Sequence, residues 1–146
     1  MKGENVQPLQ VTRARPVHLH FQEPAYKLVK ELEKAKIIRP VNLVTEWVSP
    51  AMFVPKPNGG VRMVTDYTAI NKYIERPIHP FMSAQDTIRQ IGPKAQYFAT
   101  LDAVSGYFQV PISEDAMLLT TFLTPWGKFC YTRGPMGFKA TQDWWN

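Results

Sequence analysis

The chain of 146 residues contains a single cysteine, Cys130. One thiol excludes an internal disulfide and a cysteine-rich zinc site, and it indicates an intracellular protein. Long apolar segments are also missing, since the longest stretch without a charged residue, 116–127, is short and includes Thr, Pro and Gly. No membrane span is therefore predicted, and the polar residues 1–5 give no sign of a secretory signal.

Glycine is scarce relative to proline, with 8 glycines and 13 prolines. This balance favours stiff turns and short elements over a helical bundle, because proline breaks helix interiors. Hydrophobic residues make up 45% and charged residues 20% of the sequence, values typical of a globular core and not of a disordered tail. The length allows one domain, or one and a fraction.

What is present is an uneven charge. Residues 1–94 contain 14 Lys and Arg against 8 Asp and Glu, whereas residues 95–146 contain 3 against 4. The first part therefore carries a formal charge of +6 and the second part −1, which together give +5. A basic front favours a polyanionic partner such as nucleic acid. Ordinary surface lysine on a small domain is an equally open interpretation.

The first forty residues predict a lead-in, a strand and a helix. Residues 1–14 show no periodicity and are expected to be a loose lead-in. Apolar residues alternate with histidines over 17–21, which predicts a half-buried strand. Glu23-Pro24 opens a predicted helix with one apolar face, and Pro40 ends it.

Turn signals predict the elements that follow. Strands over 51–54 and 61–64 flank Asn58-Gly59-Gly60, which predicts a hairpin. A turn and a short helix are predicted over 66–74, and Ser83 is placed to cap a helix that reaches Ile91.

The last third is richer in aromatic residues. An apolar strand is predicted over 97–101, ending at Asp102, and a second strand over 107–112 continues the chain after a turn. Further predicted elements are a hairpin of strands 118–123 and 128–132 and a helix from Ala140. Trp144-Trp145 would leave two large apolar side chains without later residues to pack on, so we expect the chain to be truncated.

Asp102 is the first candidate for chemistry. It follows a predicted buried strand and precedes a turn with an aromatic residue, Tyr107. A carboxylate in this setting suits a hard divalent cation such as Mg²⁺, which prefers one or two carboxylates with phosphate oxygens. The alternative is an aspartate that caps the turn into Ser105-Gly106.

Lys56 and Arg62 form the second candidate, near the tip of the predicted hairpin. A loop with two cations could close over phosphates, because guanidinium binds phosphate in a bidentate manner and lysine acts as a point charge. A solvated hairpin whose cations only maintain solubility explains the same residues.

Several short segments follow one another in a specific order. They are KIIRP (36–40), EWVSP (46–50), VPKPNGG (54–60), RMVTDY (62–67) with NK (71–72), LD (101–102) to FQ (108–109), TF (121–122) and PMGF (135–138). In this order and spacing, the sequence resembles the reverse transcriptases of retroviruses and long-terminal-repeat retrotransposons, especially the gypsy type. The resemblance runs from about Val17 to Phe138.

The resemblance implies a metal and nucleotide site around Asp102. Asp102 corresponds to the first catalytic aspartate, which binds both magnesium ions, and the carbonyl of Ala103 to a backbone ligand of one ion. Ser105 and Gly106 would offer backbone N–H groups to the incoming triphosphate. Tyr107 corresponds to the aromatic gate that blocks a ribose 2′-OH and so selects deoxynucleotides.

The resemblance also assigns roles outside that turn. Arg62 and, with a less certain register, Lys56 correspond to the cations of the fingers that hold the triphosphate. Met136 and Gly137 lie where the family contacts the nucleotide and the template base. Asp66 corresponds to a structural residue of the fingers and not to a catalytic carboxylate.

An α+β fold is implied, comprising the reverse-transcriptase fingers and the first part of the palm. The expected divisions are a lead-in over 1–14, fingers over 15–94 and a partial palm over 95–146. The expected partners are an RNA or DNA template-primer and deoxynucleoside triphosphates, with no membrane. An intracellular location, in cytoplasm, virus-like particle or nucleus, is expected.

Three departures from the family pattern limit the expected activity. The tyrosine-x-Asp-Asp motif, which supplies two further carboxylates, is not in the sequence, nor are the thumb and RNase H regions. Thr68 stands where the family usually has arginine, and ATQDW (140–144) replaces an Asn-Ala-Pro-Ala run. The fragment alone is expected to be inactive. The alternative is a domesticated, non-catalytic module that binds nucleic acid or another partner.

Overall fold

A computed structural model describes residues 6–57, 59–75, 82–91 and 95–145. Asn58, the first residue of the predicted hairpin turn, lies outside them. Helices and strands alternate along the chain in the order α1 (Leu19–Lys34), β1 (Ile38–Pro40), β2 (Ser49–Pro55), β3 (Val61–Thr65), α2 (Thr68–Asn71), α3 (Ala84–Gln90), a 3-10 helix (Gly106–Gln109), α4 (Glu114–Leu119), β4 (Phe122–Thr124), β5 (Gly127–Tyr131) and α5 (Lys139–Trp145). This mixture of helix and sheet confirms the predicted α+β class.

The five strands found in these described ranges form one sheet in the order β1-β5-β4-β2-β3. β2 and β3 form an antiparallel hairpin in which Phe53 lies opposite Met63, as the turn signal predicted. β4 and β5 form a second hairpin, with Phe122 opposite Phe129. A parallel pairing of β2 with β4 joins the two hairpins. Strands from before and after residue 94 therefore share one sheet.

Aromatic side chains fill the core beside this sheet. Phe122 of β4 is fully buried, and its ring centroid lies 5.0 Å from that of Tyr131 and 6.1 Å from that of Phe129. The Tyr67 ring meets Phe138 edge-on, with centroids 5.3 Å apart. The hydroxyl of Tyr67 donates to the carbonyl of Thr120 over 3.0 Å, so the buried polar atom is satisfied.

Helix α1 corrects two predictions. The alternating residues 17–21 form no strand, because the helix already begins at Leu19 and places Pro24 inside it. Pro24 lacks the N–H that would bond to His20, but His20 is exposed, so water can satisfy its carbonyl. The helix ends at Lys34 and not at Pro40, because Lys36 adopts a left-handed conformation at φ 57°.

The chain after that helix forms an edge strand that the sequence did not predict. The N–H of Ile37 donates to the carbonyl of Leu32, and the N–H of Lys36 to that of Glu33, which closes the helix end. β1 then pairs with β5, with Ile38 opposite Tyr131. Pro40 is tolerated there because β1 lies at the sheet edge.

The predicted strands around Asp102 are also wrong. Residues 95–103 form neither helix nor strand and pair with none of the described strands, and 106–109 form a 3-10 helix. A strand needs a neighbour to satisfy its backbone groups and to cover its apolar side chains. Without one, Tyr97 and Leu101 are 92% and 95% exposed.

The remaining helices show how local signals succeed and fail. Ser83 caps α3 as predicted, accepting the N–H of Asp86 over 3.1 Å. Ser113 caps α4 in the same way, and the last two residues of this helix, 118–119, were wrongly predicted to begin the strand over 118–123. α5 confirms the predicted helix near Ala140. Among the helices described, none has the length and hydrophobicity that crossing a bilayer requires.

Candidate functional site

An open cleft of about 530 Å³ lies beside the 3-10 helix. Its lining residues are Leu101, Asp102, Ala103, Ser105, Gly106, Tyr107, Phe108 and Met136. The structure thus brings together six of the residues that the sequence predicted to bind a metal ion or a nucleotide. Gly137 follows Met136 in the same loop, whereas Lys56 and Arg62 lie on the β2–β3 hairpin and are not among the lining residues.

Backbone geometry explains why the turn after Asp102 is so tight. Ser105 is left-handed, with φ 51° and ψ 41°, and reverses the chain at the start of the 3-10 helix. The N–H of Gly106 donates to the carbonyl of Ala103 over 3.2 Å. The Gln109 side-chain amide donates to the carbonyl of Val104 over 3.0 Å and braces the turn from its other end. Sequence reasoning gave Gln109 no such role.

The donors around Asp102 match a hard cation in chemistry but not in number. Asp102 is exposed, so its carboxylate oxygens face solvent. The carbonyl of Ala103 accepts one hydrogen bond and keeps a second lone pair. Carboxylate and carbonyl oxygens suit Mg²⁺, which takes oxygen ligands in octahedral geometry. In the described part of the chain, however, no group of three or more Asp, Glu, His or Cys residues comes together.

The loop that carries Met136 and Gly137 is tied to the cleft at its start. Pro111 and Arg133 form an isolated antiparallel bridge, and the N–H of Gly134 donates to the carbonyl of Val110 over 2.8 Å. Gly134 leaves no room for a side chain: a Cβ there would lie 3.1 Å from the carbonyl oxygen of Tyr107. Met136 is 70% exposed, and its side chain is one of those that line the cleft.

The β2–β3 hairpin presents its cations on one face. Arg62 is directly opposite Val54, and Lys56 follows Val54 by two residues, so alternation places Lys56 and Arg62 on the same side. The Arg15 guanidinium reaches the sulfur of Met52, which shares that side, over 4.0 Å. Phe53 and Met63, on the other face, pack against the core. Sequence reasoning missed Arg15, because no local pattern links it to the hairpin.

Asp66 lies at the start of α2 and has a structural role. Its carboxylate accepts the backbone N–H of Thr68 over 3.0 Å. Hydrogen bonds from the side chain and backbone of Thr68 lower the pKa of Asp66 below its ordinary value, and the charge of Arg15 adds to this effect. These contacts agree with the interpretation of Asp66 as a residue that shapes the turn after β3.

Comparison with known families identifies most of this region. Residues 54–143 match the family described as "Reverse transcriptase (RNA-dependent DNA polymerase)". The chain is 34% identical over 143 residues to the retrovirus-related Pol polyprotein from transposon 412 of Drosophila melanogaster, covering 94% of this chain and 11% of that protein. It is 31% identical over 138 residues to the corresponding polyprotein from transposon gypsy of the same species, covering 90% and 13%.

Solved structures with the same fold include viral enzymes. The native protease-reverse transcriptase of prototype foamy virus superposes with a TM-score of 0.81 at 26% identity, covering 98% of this chain and 19% of that one. A foamy viral protease-reverse transcriptase in complex with an RNA/DNA hybrid gives a TM-score of 0.75 at 23% identity, over 95% and 18%. The chain therefore spans about a tenth to a fifth of the proteins it resembles, and it belongs to the reverse transcriptase (RNA-dependent DNA polymerase) family.

Proposed function

We propose that this chain forms the fingers (15–94) and the first part of the palm (95–146) of a polymerase, after a lead-in over 1–14. The polymerase adds deoxynucleotides to a primer 3′-OH on an RNA or DNA template. One observation carries the proposal: Asp102, Ala103, Tyr107 and Met136, from two separate segments, converge on one open cleft. A cleft that is accessible to solvent can admit a nucleotide and a template-primer end.

Within this cleft, each residue has a distinct task. Bound magnesium ions would neutralise charge on the attacking and leaving oxygens of the phosphoryl transfer. Asp102 and the carbonyl of Ala103 would hold them. Ser105 and Gly106 would direct backbone N–H groups at the triphosphate, which for Gly106 requires its bond to Ala103 to open or be shared. The Tyr107 ring would exclude a nucleotide with a 2′-OH.

The cationic face of the hairpin would serve the negative charge of the substrates. Lys56 and Arg62 would hold the triphosphate when the hairpin closes over the cleft, and Arg15 extends the positive surface along the same face. Phosphoryl transfer relies on positioning and charge neutralisation, so cations that can approach a bound triphosphate suit it. The excess of +6 over residues 1–94 favours a template strand on this side.

The site needs further residues, which we propose are supplied by a larger polypeptide. One carboxylate is too few for two metal ions, and the apolar segment 95–103 is exposed, with no strand beside it in the part of the chain that the structure describes. Strands from the rest of the palm would cover it and bring the missing carboxylates. The 146-residue chain alone would then not extend a primer.

The test is Asp102→Asn in the polymerase polypeptide that contains this segment. Loss of a metal ligand removes several kcal/mol of transition-state stabilisation, so primer extension falls by about a thousandfold or more. Asp115→Asn, at an exposed carboxylate in the first turn of α4, is the matched control and leaves extension unchanged. Normal extension by Asp102→Asn would show that Asp102 only caps a turn.

A second candidate function is a non-catalytic module that binds nucleic acid. The lack of a cluster of three metal-ligating side chains among the described residues favours it. In that case the 146-residue chain binds single-stranded RNA with an affinity that falls steeply with salt, because binding releases counterions. Arg15→Ala and Arg62→Ala reduce the slope, and Asp102→Asn has no effect on it. Binding that is undetectable or independent of salt would exclude this function.

A further inference from the structure

The side chain of Asn71 bonds to two backbone groups of the loop that carries Met136 and Gly137. Its amide Nδ2 donates to the carbonyl of Gly137 over 2.8 Å, and its Oδ1 accepts the backbone N–H of Lys139 over 2.9 Å. Asn71 ends α2, before the cleft segment (residues 95–103, which lead into the cleft) begins, so the two bonds join parts of the chain far apart in sequence. The bonds therefore act as a bracket between α2 and the loop.

The geometry permits only one orientation of the amide. A carbonyl can only accept and an N–H can only donate, so rotating the amide by half a turn would set like groups against each other at both ends. Asparagine is the residue type that supplies a donor and an acceptor on so short a side chain. Gly137, at φ +83°, has a conformation that other residues rarely adopt. Because glycine has the greatest backbone freedom of any residue, the bracket restrains the loop where its backbone could otherwise move most easily.

Neighbouring contacts make the bracket reciprocal. The Lys139 ammonium donates back to the carbonyls of Asn71, over 3.4 Å, and Ile74, over 3.0 Å. Phe138, the residue between Gly137 and Lys139, packs edge-on against Tyr67. At its other end the loop is fixed by Gly134, which bonds to Val110 beside the 3-10 helix. Met136 lies between these two anchors, and its side chain is 70% exposed and lines the cleft.

We infer that Asn71 is a positioning residue that sets the place of Met136 and Gly137 against the nucleotide. The inference rests on the proposed function, because it takes the cleft as the nucleotide site. Asn71 does not line the cleft and acts through the loop backbone. Loosening the bracket lets the Met136–Gly137 segment move relative to Asp102 and Tyr107, so a bound nucleotide loses contacts without any change at the reacting atoms.

The structural half is tested by amide exchange on the 146-residue chain. Asn71→Ala removes both bonds, and the Lys139 amide exchanges at least about tenfold faster, the factor that a lost hydrogen bond of about 1.4 kcal/mol gives. Asn71→Asp keeps the acceptor for Lys139 but sets a carboxylate oxygen against the Gly137 carbonyl, so the Lys139 amide stays protected. Asn42→Ala, an exposed asparagine, is the matched control. Unchanged Lys139 exchange in Asn71→Ala overturns the inference.

The functional half is tested by single-nucleotide extension in the polymerase polypeptide. Both Asn71→Ala and Asn71→Asp raise the KM for the deoxynucleotide by about tenfold and leave kcat within about twofold. A residue that only stabilised the fold would lower the active fraction, and so kcat, with KM unchanged. Faster loop exchange with a normal KM overturns the positioning role. If the unsubstituted polypeptide does not extend a primer, the proposed function fails, and the exchange result still decides whether Asn71 fixes the loop.

Discussion

The five-stranded sheet and the cleft segment differ in whether their apolar side chains are buried and their backbone groups are paired. In the sheet, Phe122 is fully buried between two further aromatic rings, and each strand pairs with another described strand. In the cleft segment, Leu101 is 95% exposed, and its backbone pairs with none of the strands that the structure describes. Both have apolar, aromatic sequences, so composition alone does not separate a finished core from a surface that needs a partner.

The largest expected effect tests this contrast directly. Phe122→Ala removes a ring that contacts Phe129 and Tyr131, and it lowers the free energy of unfolding by about 3–5 kcal/mol. Leu101→Ala removes an apolar side chain that is already in water, so stability stays within about 0.5 kcal/mol. Urea denaturation of the 146-residue chain measures both.

The same pair of variants sharpens the comparison in the longer polypeptide. If palm strands cover residues 95–103 there, Leu101→Ala becomes destabilising by about 2–5 kcal/mol, as expected for a core leucine. A large effect of Leu101→Ala in the 146-residue chain would contradict the exposed placement. A negligible effect in both proteins would contradict the proposal that other strands cover the segment.

Elements with local chemistry were predictable from the sequence. Turn residues identified the β2–β3 hairpin, and Ser83 identified the start of α3, because caps and turns are decided by a few neighbouring residues. The failures need information from further away. Residues 17–21 alternate as a strand does, yet α1 begins at Leu19, whose side chain is 79% exposed, and only Phe21, four residues before the buried Ala25, continues the face that packs on the sheet. Residues 97–101 have a strand's composition without a strand's neighbour.

The sequence named residues that the structure brings together, but it did not reveal how the loop beside them is held. The order of motifs pointed to Asp102, Tyr107 and Met136, and the structure places all three on one cleft. The asparagine bracket could not be predicted, because it joins Asn71 to backbone atoms of Gly137 and Lys139. Backbone partners leave no residue type in the sequence that would reveal the contact.

Gly134 is the point where the packed region meets the cleft, and a substitution there has an intermediate effect. A Cβ would lie 2.5 Å from Cγ2 of Thr141 and 3.1 Å from the Tyr107 carbonyl oxygen. Gly134→Ala therefore forces Thr141 or the 3-10 helix to move and costs about 1–3 kcal/mol in thermal or urea unfolding. Adding Thr141→Ala removes the closer contact and restores part of the loss. No recovery in the double variant would show that the Tyr107 backbone is the main obstacle.

The smallest expected effect is the loss of stability at alkaline pH that comes from Tyr131, the last residue of β5. Burial raises the pKa of Tyr131 to about 12, because the phenolate would be poorly solvated in the core. A pKa raised in the folded state gives stability that is complete below about pH 10, the ordinary value for tyrosine, and is lost as the pH rises towards 12. Between pH 8 and pH 11, Tyr131 alone lowers the free energy of unfolding by about 1 kcal/mol.

Tyr131→Phe isolates this contribution when unfolding is measured at both pH values. The variant loses about 1 kcal/mol less stability than the unsubstituted chain on going from pH 8 to pH 11. Some loss remains, because burial also raises the pKa of Tyr67 well above its ordinary value, and that residue still titrates. Leu101→Ala is the control from the cleft segment, because it replaces a side chain that does not ionise and is 95% exposed, and it leaves the pH dependence unchanged. If Tyr131→Phe lost as much stability as the unsubstituted chain between the two pH values, the sheet would not protect Tyr131 from ionisation, and the contrast between the two regions would fail.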